Sequence, residues 1–239
     1  MALGTERRWA TTAAAPAAAA IDEGLRAYML RVYNYMASGL ALTGIVAYVV
    51  SQTPALMQAI YGTPLFWVVA LAPLGLVFFL SARINKMSTT AAQATFWAFA
   101  GLMGLSLASI FVVYTGTSIA RVFFITAATF GTLSLYGYTT KRDIAGWGSF
   151  LFVGLIGIII ASVVNIFLGS TALQFAISVI GVLVFAGLTA YDTQAIKEMY
   201  VESDGTAVAE KKSIFGALRL YLDFLNMFLL LLQLFGNRQ

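Results

Sequence analysis

The sequence predicts an all-α integral membrane protein with seven transmembrane helices, and three observations carry that expectation. Hydrophobic residues make up 60% of the 239 residues and charged residues 10%, against about 25% charged in an ordinary soluble domain. The mean hydropathy of +0.87 leaves too few charges to cover a folded surface, so lipid must cover most of it. The charge-free runs are also long enough for seven crossings of about 20 residues each.

The elements follow in chain order. No charge occurs between Arg31 and Arg83, and the turn clusters Ser51-Gln52-Thr53-Pro54 and Tyr61-Gly62-Thr63-Pro64 divide that run. The result is a first span near 32–51 and a second near 65–82. Pro73, midway along the second, should kink it or loosen its backbone hydrogen bonds. A third span lies near 92–114, and a fourth, near 119–138, carries Arg121 in its first turn. The charge-free stretch from Asp143 to Asp192 breaks at Gly169-Ser170 into a fifth span near 146–168 and a sixth near 172–192. The seventh runs from about Ser213 to Leu234. Residues 1–26 read as a flexible cytosolic tail. Their Ala13–Ala20 run is too short for a secretory segment, is broken by Pro16 and leads to Asp22-Glu23. Residues 27–239 form the transmembrane domain, with no sequence repeat of 20–50 residues.

Orientation follows from the basic residues. Arg7, Arg8, Arg26, Arg31, Arg83, Lys86, Lys141, Arg142, Lys197, Lys211 and Lys212 flank one side of the spans, and Arg238 alone flanks the other. The N-terminus is therefore expected in the cytoplasm and the C-terminus on the opposite side of the membrane. These charges sit in short loops and form no continuous face, which points to topology signals and not to nucleic-acid binding.

Cysteine and histidine are both absent. That removes disulfides, thiolate and Ser-His nucleophiles, haem and the usual zinc sites, so any chemistry must run on carboxylates, Arg, Lys, Tyr or Ser/Thr. No enzymatic activity and no resident cofactor or metal is expected.

What chemistry remains lies in charges inside the membrane, each of which costs roughly 2.5–3.5 kcal/mol at a helix centre and is retained for a use. Asp192 ends the sixth span, roughly 8 Å from Lys197, and Asp223 lies roughly 15 Å in from Ser213 along the seventh. The two helices are antiparallel, so both carboxylates fall in the cytosolic half of the bilayer. The second span ends on that side at Arg83. On the seventh span, Gly216, Arg219, Asp223, Asn226 and Gln233 form one small and polar stripe along a helix of Leu and Phe. Such a stripe should face the protein interior or a wet path. A plainer alternative stands beside this one: Arg219 could neutralise Asp223 four residues on, while Arg83 and Arg121 snorkel to the interface.

The segment Gly187-Leu-Thr-Ala-Tyr-Asp-Thr-Gln194, with Ile196-Lys197, Leu218-Arg-Leu-Tyr-Leu-Asp-Phe-Leu-Asn226 and Leu230–Gly236 downstream, resembles the signature of the transmembrane Bax inhibitor motif family. The resemblance is close over the last two spans and extends, through the span count, over the membrane region. It implies six helices wrapped around a central seventh, and a calcium leak pathway governed by pH. It further implies that Asp192 and Asp223 form the pH-sensing pair and that Arg83 contacts it; Arg219, by its place on the seventh span, is a second cationic neighbour. Calcium ions and protons are then the partners, together with the lipid bilayer. Gln233 departs from the family, which commonly has a basic residue late in the last helix. The physics agrees: two carboxylates close together in low dielectric share a proton and titrate in two steps, and the change can bias a two-state packing.

Other functions compete. An intramembrane aspartyl protease also places Tyr-Asp on one helix and Asp on the next, but Leu220-Tyr221-Leu222 stands where such enzymes have Gly-x-Gly. A retinal protein needs a lysine in the seventh span, which has none. A non-conducting modulator of stress responses or of a membrane-bound protease, and a proton-coupled cation exchanger, remain as alternatives to the leak.

Overall fold

The computed structural model describes the backbone of residues 6–239 and the side chains of residues 23–239. Of the tail expected over residues 1–26, residues 1–5 lie outside the described residues and the backbone of residues 6–26 continues into the first membrane helix. The helices are α1 (Glu6–Ser51), α2 (Pro54–Tyr61), α3 (Leu65–Arg83), α4 (Thr89–Leu107), α5 (Ile110–Val113), α6 (Gly116–Thr139), α7 (Trp147–Leu168), α8 (Thr171–Glu198) and α9 (Thr206–Phe235). Seven stretches are long and apolar enough to cross a membrane: Glu23–Ser51, Leu65–Lys86, Thr89–Val113, Gly116–Thr139, Trp147–Leu168, Thr171–Glu198 and Thr206–Phe235. The protein is a multi-pass, all-α membrane protein.

Burial identifies the centre. In α9, 72% of the most apolar stretch is buried within the protein, against 11–33% in the other six spans. α1, α4, α6 and α8 pack around α9, while α3 rests chiefly on α4 and α7 on α8. The core is accordingly built on α9, with Leu218, Leu220, Tyr221 and Met227 fully enclosed. Tyr221 reaches the Thr43 hydroxyl at 2.7 Å, and Thr43 donates to the Ala100 carbonyl, so α1, α4 and α9 share one buried hydrogen-bonded junction.

Two local features differ from the expected spans. α8 and α9 run a turn or more beyond them, because charged residues such as Lys197 end the hydrocarbon crossing without ending the helix. The third span is broken between α4 and α5. There the Tyr61 hydroxyl, from the short α2, lies 2.8 and 3.0 Å from the Leu105 and Ser106 carbonyls and accepts from the Ser109 amide at 3.2 Å. Pro73 lies inside an uninterrupted α3. Its ring leaves the Val69 carbonyl without the usual i→i−4 donor, and the Ser106 hydroxyl of α4 donates to that carbonyl at 2.5 Å. The expected break at Gly169-Ser170 occurs as written: Gly169 takes the left-handed conformation at φ +60° to end α7, and the Ser170 hydroxyl caps α8 by accepting from Leu173 N.

The loops carrying the basic residues share one end of the bundle and are tied to α8 and α9. Lys211 donates to the Asn85 carbonyl at 3.2 Å and Lys197 to the Tyr138 carbonyl at 2.8 Å. Gln194 clamps the α6–α7 loop twice, accepting from Ile144 N and donating to the Arg142 carbonyl, both at 2.9 Å. Glu210 joins α9 to α1 and α4 by accepting from Arg31, Tyr35 and Gln93. At the opposite end, Arg238 forms an antiparallel bridge with Tyr114, fastening the C-terminal residues to the α5–α6 turn.

Candidate functional site

The site begins with a crossing of two helices. α8 and α9 pack along their length, and Gly216 lets them approach closely: a Cβ there would meet Ile196 Cγ2 at 2.9 Å. Gly216 is buried in that contact and is not among the residues that line the neighbouring cavity. A small residue in the stripe serves helix approach here, which composition alone does not distinguish from a lining role.

One turn further along α9, the charged residues meet. Arg219 donates through Nε to Asp192 Oδ2 at 3.2 Å, and its Nη2 pairs with Asp192 Oδ1, a two-pronged contact across the helix interface. Arg219 therefore makes its ion pair across the interface, and none with Asp223 in its own helix. Asp192 and Asp223 are 6% and 4% exposed, and their carboxyls lie within hydrogen-bonding reach of each other. Asp223 Oδ2 is buried with no protein donor. Arg83 is placed elsewhere, exposed in the last turn of α3. Its side chain makes no ion pair or hydrogen bond among the described residues, and Arg219 occupies the counter-ion position expected of it. Arg121 is likewise exposed near the start of α6.

These groups stand at one end of a cavity of about 970 Å³ between α7, α8 and α9. Arg219, Asp223, Asn226 and Gln233 line it in succession, so four of the five stripe residues face it. Asn226 turns its amide onto the Leu222 carbonyl at 2.8 Å. At the far end the Gln233 carbonyl accepts from Gln174 at 2.6 Å and Ser178 at 3.0 Å, and Asn165 donates to Gln174 at 3.1 Å. This amide chain joins α7, α8 and α9 and has no counterpart in the expectation from sequence. Its signal was present: Asn165 and Gln174 are the only amide side chains in the expected spans 146–168 and 172–192. Among the described residues no group of three or more acidic side chains is arranged to hold a metal ion.

Taken together, the cavity offers a polar strip along the central helix, charged at one end and amide-lined at the other. Comparison with known proteins agrees with the motif that led to it. The family model described as inhibitor of apoptosis-promoting Bax1 matches residues 25–239. The protein RP147 of Rickettsia prowazekii is 49% identical over 218 residues, covering 91% of this chain and 92% of that protein. The inner membrane protein YbhL of Escherichia coli is 49% identical over 219 residues, covering 90% and 94%. A membrane protein of Streptococcus pyogenes, SpyM3_0260, is 37% identical over 219 residues, covering 90% and 95%. With a match that spans both motif helices and every membrane crossing, the chain belongs to the Bax inhibitor family.

Proposed function

We propose that the chain is a pH-sensitive calcium leak pathway of the inner membrane, not an enzyme, with the N-terminus cytoplasmic and the C-terminus periplasmic. The observation that carries this reading is the partnerless, buried oxygen of Asp223 beside Asp192 at the charged end of a polar-striped cavity. A buried carboxylate oxygen without a donor is costly, and a proton held between the two carboxyls would satisfy it. Losing that proton places two like charges together in low dielectric, and their repulsion acts between α8 and α9, the two helices that frame the cavity. Arg219 holds Asp192 in position for this exchange. The inner-membrane location rests on the name of the Escherichia coli relative, and the orientation on the distribution of Lys and Arg.

Calcium flux into proteoliposomes of the purified chain, measured from pH 5 to 8, tests the proposal. The wild type should conduct with a pH-dependent rate. Asp192→Asn and Asp223→Asn should each remove most of that dependence, and the double variant should add little, because partners acting as one unit are non-additive. Wild-type flux and pH profile in both single variants would return the aspartates to a structural role. Flux that requires a proton gradient in the opposite direction would make the chain an exchanger.

A further inference from the structure

The cavity beside the aspartates lacks one wall. α7, α8 and α9 surround it, while α3 contributes a single lining residue, Leu74. Since α3 packs on α4 and α7 packs on α8, the cavity opens sideways between α3 and α7, toward the lipid. Its α7 wall is largely apolar, broken by Ser149 and Ser162: Phe152, Ile159 and Val163 line it and are 61%, 50% and 51% exposed. Its charged end holds Arg219, whose side chain is 31% exposed.

An occupant of this groove must therefore meet two demands. Charge facing hydrocarbon is costly, so polar atoms are needed at the Arg219 end. The α7 wall is largely apolar over several turns, so a water column would leave it hydrated, whereas hydrocarbon would cover it. An amphiphile meets both, and the bilayer supplies one at the opening. Arg219 has five N–H donors, of which Nε and one on Nη2 serve Asp192, so three are free for an oxygen acceptor. Asp192 already balances the charge of Arg219, so that acceptor gains nothing from being anionic.

We propose that this groove binds one phospholipid of the surrounding bilayer, with an acyl chain along α7 and an ester or phosphate oxygen accepting from Arg219. The volume of about 970 Å³ is at the upper end of the range for small-molecule sites, roughly 300–1,000 Å³. The inference goes beyond the leak reading and stands on the cavity alone. In a conducting protein the same lipid would lie across the path, so occupancy and flux would oppose each other.

Native mass spectrometry of the full chain, purified in detergent and titrated with palmitoyl-oleoyl phosphatidylethanolamine or phosphatidylglycerol, tests it. One phospholipid per chain should survive activation that strips loosely held lipid, with the two headgroups retained within threefold of each other. Ser162→Phe, which fills the groove in the C-terminal half of α7, and Arg219→Gln should each lower retention at least fivefold. Phe150→Ala, on the face of α7 turned away from Phe152 and outside the groove lining, should leave it unchanged. Circular dichroism and monodisperse elution qualify each variant, and Ser162→Phe decides the matter should Arg219→Gln not fold. Absence of a retained lipid, equal retention in all variants, or binding of oleic acid in preference to phospholipid would overturn the proposal. So would a strong preference for phosphatidylglycerol, which would assign the lipid to the basic rim around Lys86 and Lys211. Retention in a chain that carries no flux would support this site and remove the leak reading.

Discussion

Arg219 stands four residues before Asp223, a spacing at which opposite charges on one helix can meet, yet it pairs with Asp192 of the neighbouring helix. The direction of helical side chains explains the choice. They lean toward the N-terminus of their helix, which carries the guanidinium away from Asp223 and toward the α8–α9 contact. Both oxygens of Asp192 are thereby gripped by Arg219, while Asp223 keeps one oxygen without a donor. Removing Arg219 should leave a buried, unpartnered carboxylate. Arg219→Gln is therefore expected to destabilise by about 2 kcal/mol, below the full cost of breaking a buried pair because the arginine is partly exposed. Arg219→Lys should fall between, since an ammonium lacks the fork that grips both oxygens. Adding Asp192→Asn to Arg219→Gln should recover part of the loss. Thermal unfolding in detergent reads all three. Equal Tm values for wild type and Arg219→Gln would mean that the ion pair contributes nothing.

Among the elements, α3 and α4 are joined by a repair that only their contact reveals. Pro73 is visible in the sequence as a helix breaker, and Ser106 as an ordinary polar residue of the next span, but neither position says that one compensates the other. The structure joins them through the Val69 carbonyl, whose exposure to hydrocarbon without a donor would be costly. Ser106→Ala should therefore destabilise by about 1–2 kcal/mol. In a Pro73→Ala background, where the helix regains a backbone N–H donor for the Val69 carbonyl, the same substitution should cost markedly less. A double-mutant cycle on Tm measures the difference, and strictly additive costs would show that Val69 does not depend on Ser106. The same logic explains the unexpected break between α4 and α5, which follows from Tyr61 and backbone groups more than 40 residues away in sequence. By contrast, the break at Gly169-Ser170 was readable, because a glycine in left-handed conformation and a serine cap are local devices. Gly216 shows the limit within one helix: it belongs to the polar stripe by spacing, and only the closeness of Ile196 assigns it to packing.

For the whole molecule, legibility follows from what the bilayer penalises. Charges and turn clusters cannot lie in hydrocarbon, so the seven spans and the two buried aspartates stand out from the sequence. Apolar residues carry no such mark, and the α7 residues that wall the cavity read the same as those that face lipid. Orientation belongs to this scale as well, because it is a property of all the loops at once. Lys211, Lys197 and Lys212 tie loops at one end of the bundle, and the bridge between Tyr114 and Arg238 sets the C-terminal residues at the other end. The basic loops should lie in the cytoplasm, since eleven Lys and Arg flank that side and one the other. The chain contains no cysteine, so single introduced thiols report without background. Gln52→Cys, in the α1–α2 turn, should react in intact cells with a membrane-impermeant maleimide, and Glu202→Cys, in the α8–α9 loop, only after the membrane is opened. A reporter fused after Gln239 should be active on the same side as Gln52→Cys. The reverse labelling pattern would invert the protein, and with it the face from which protons reach Asp192 and Asp223.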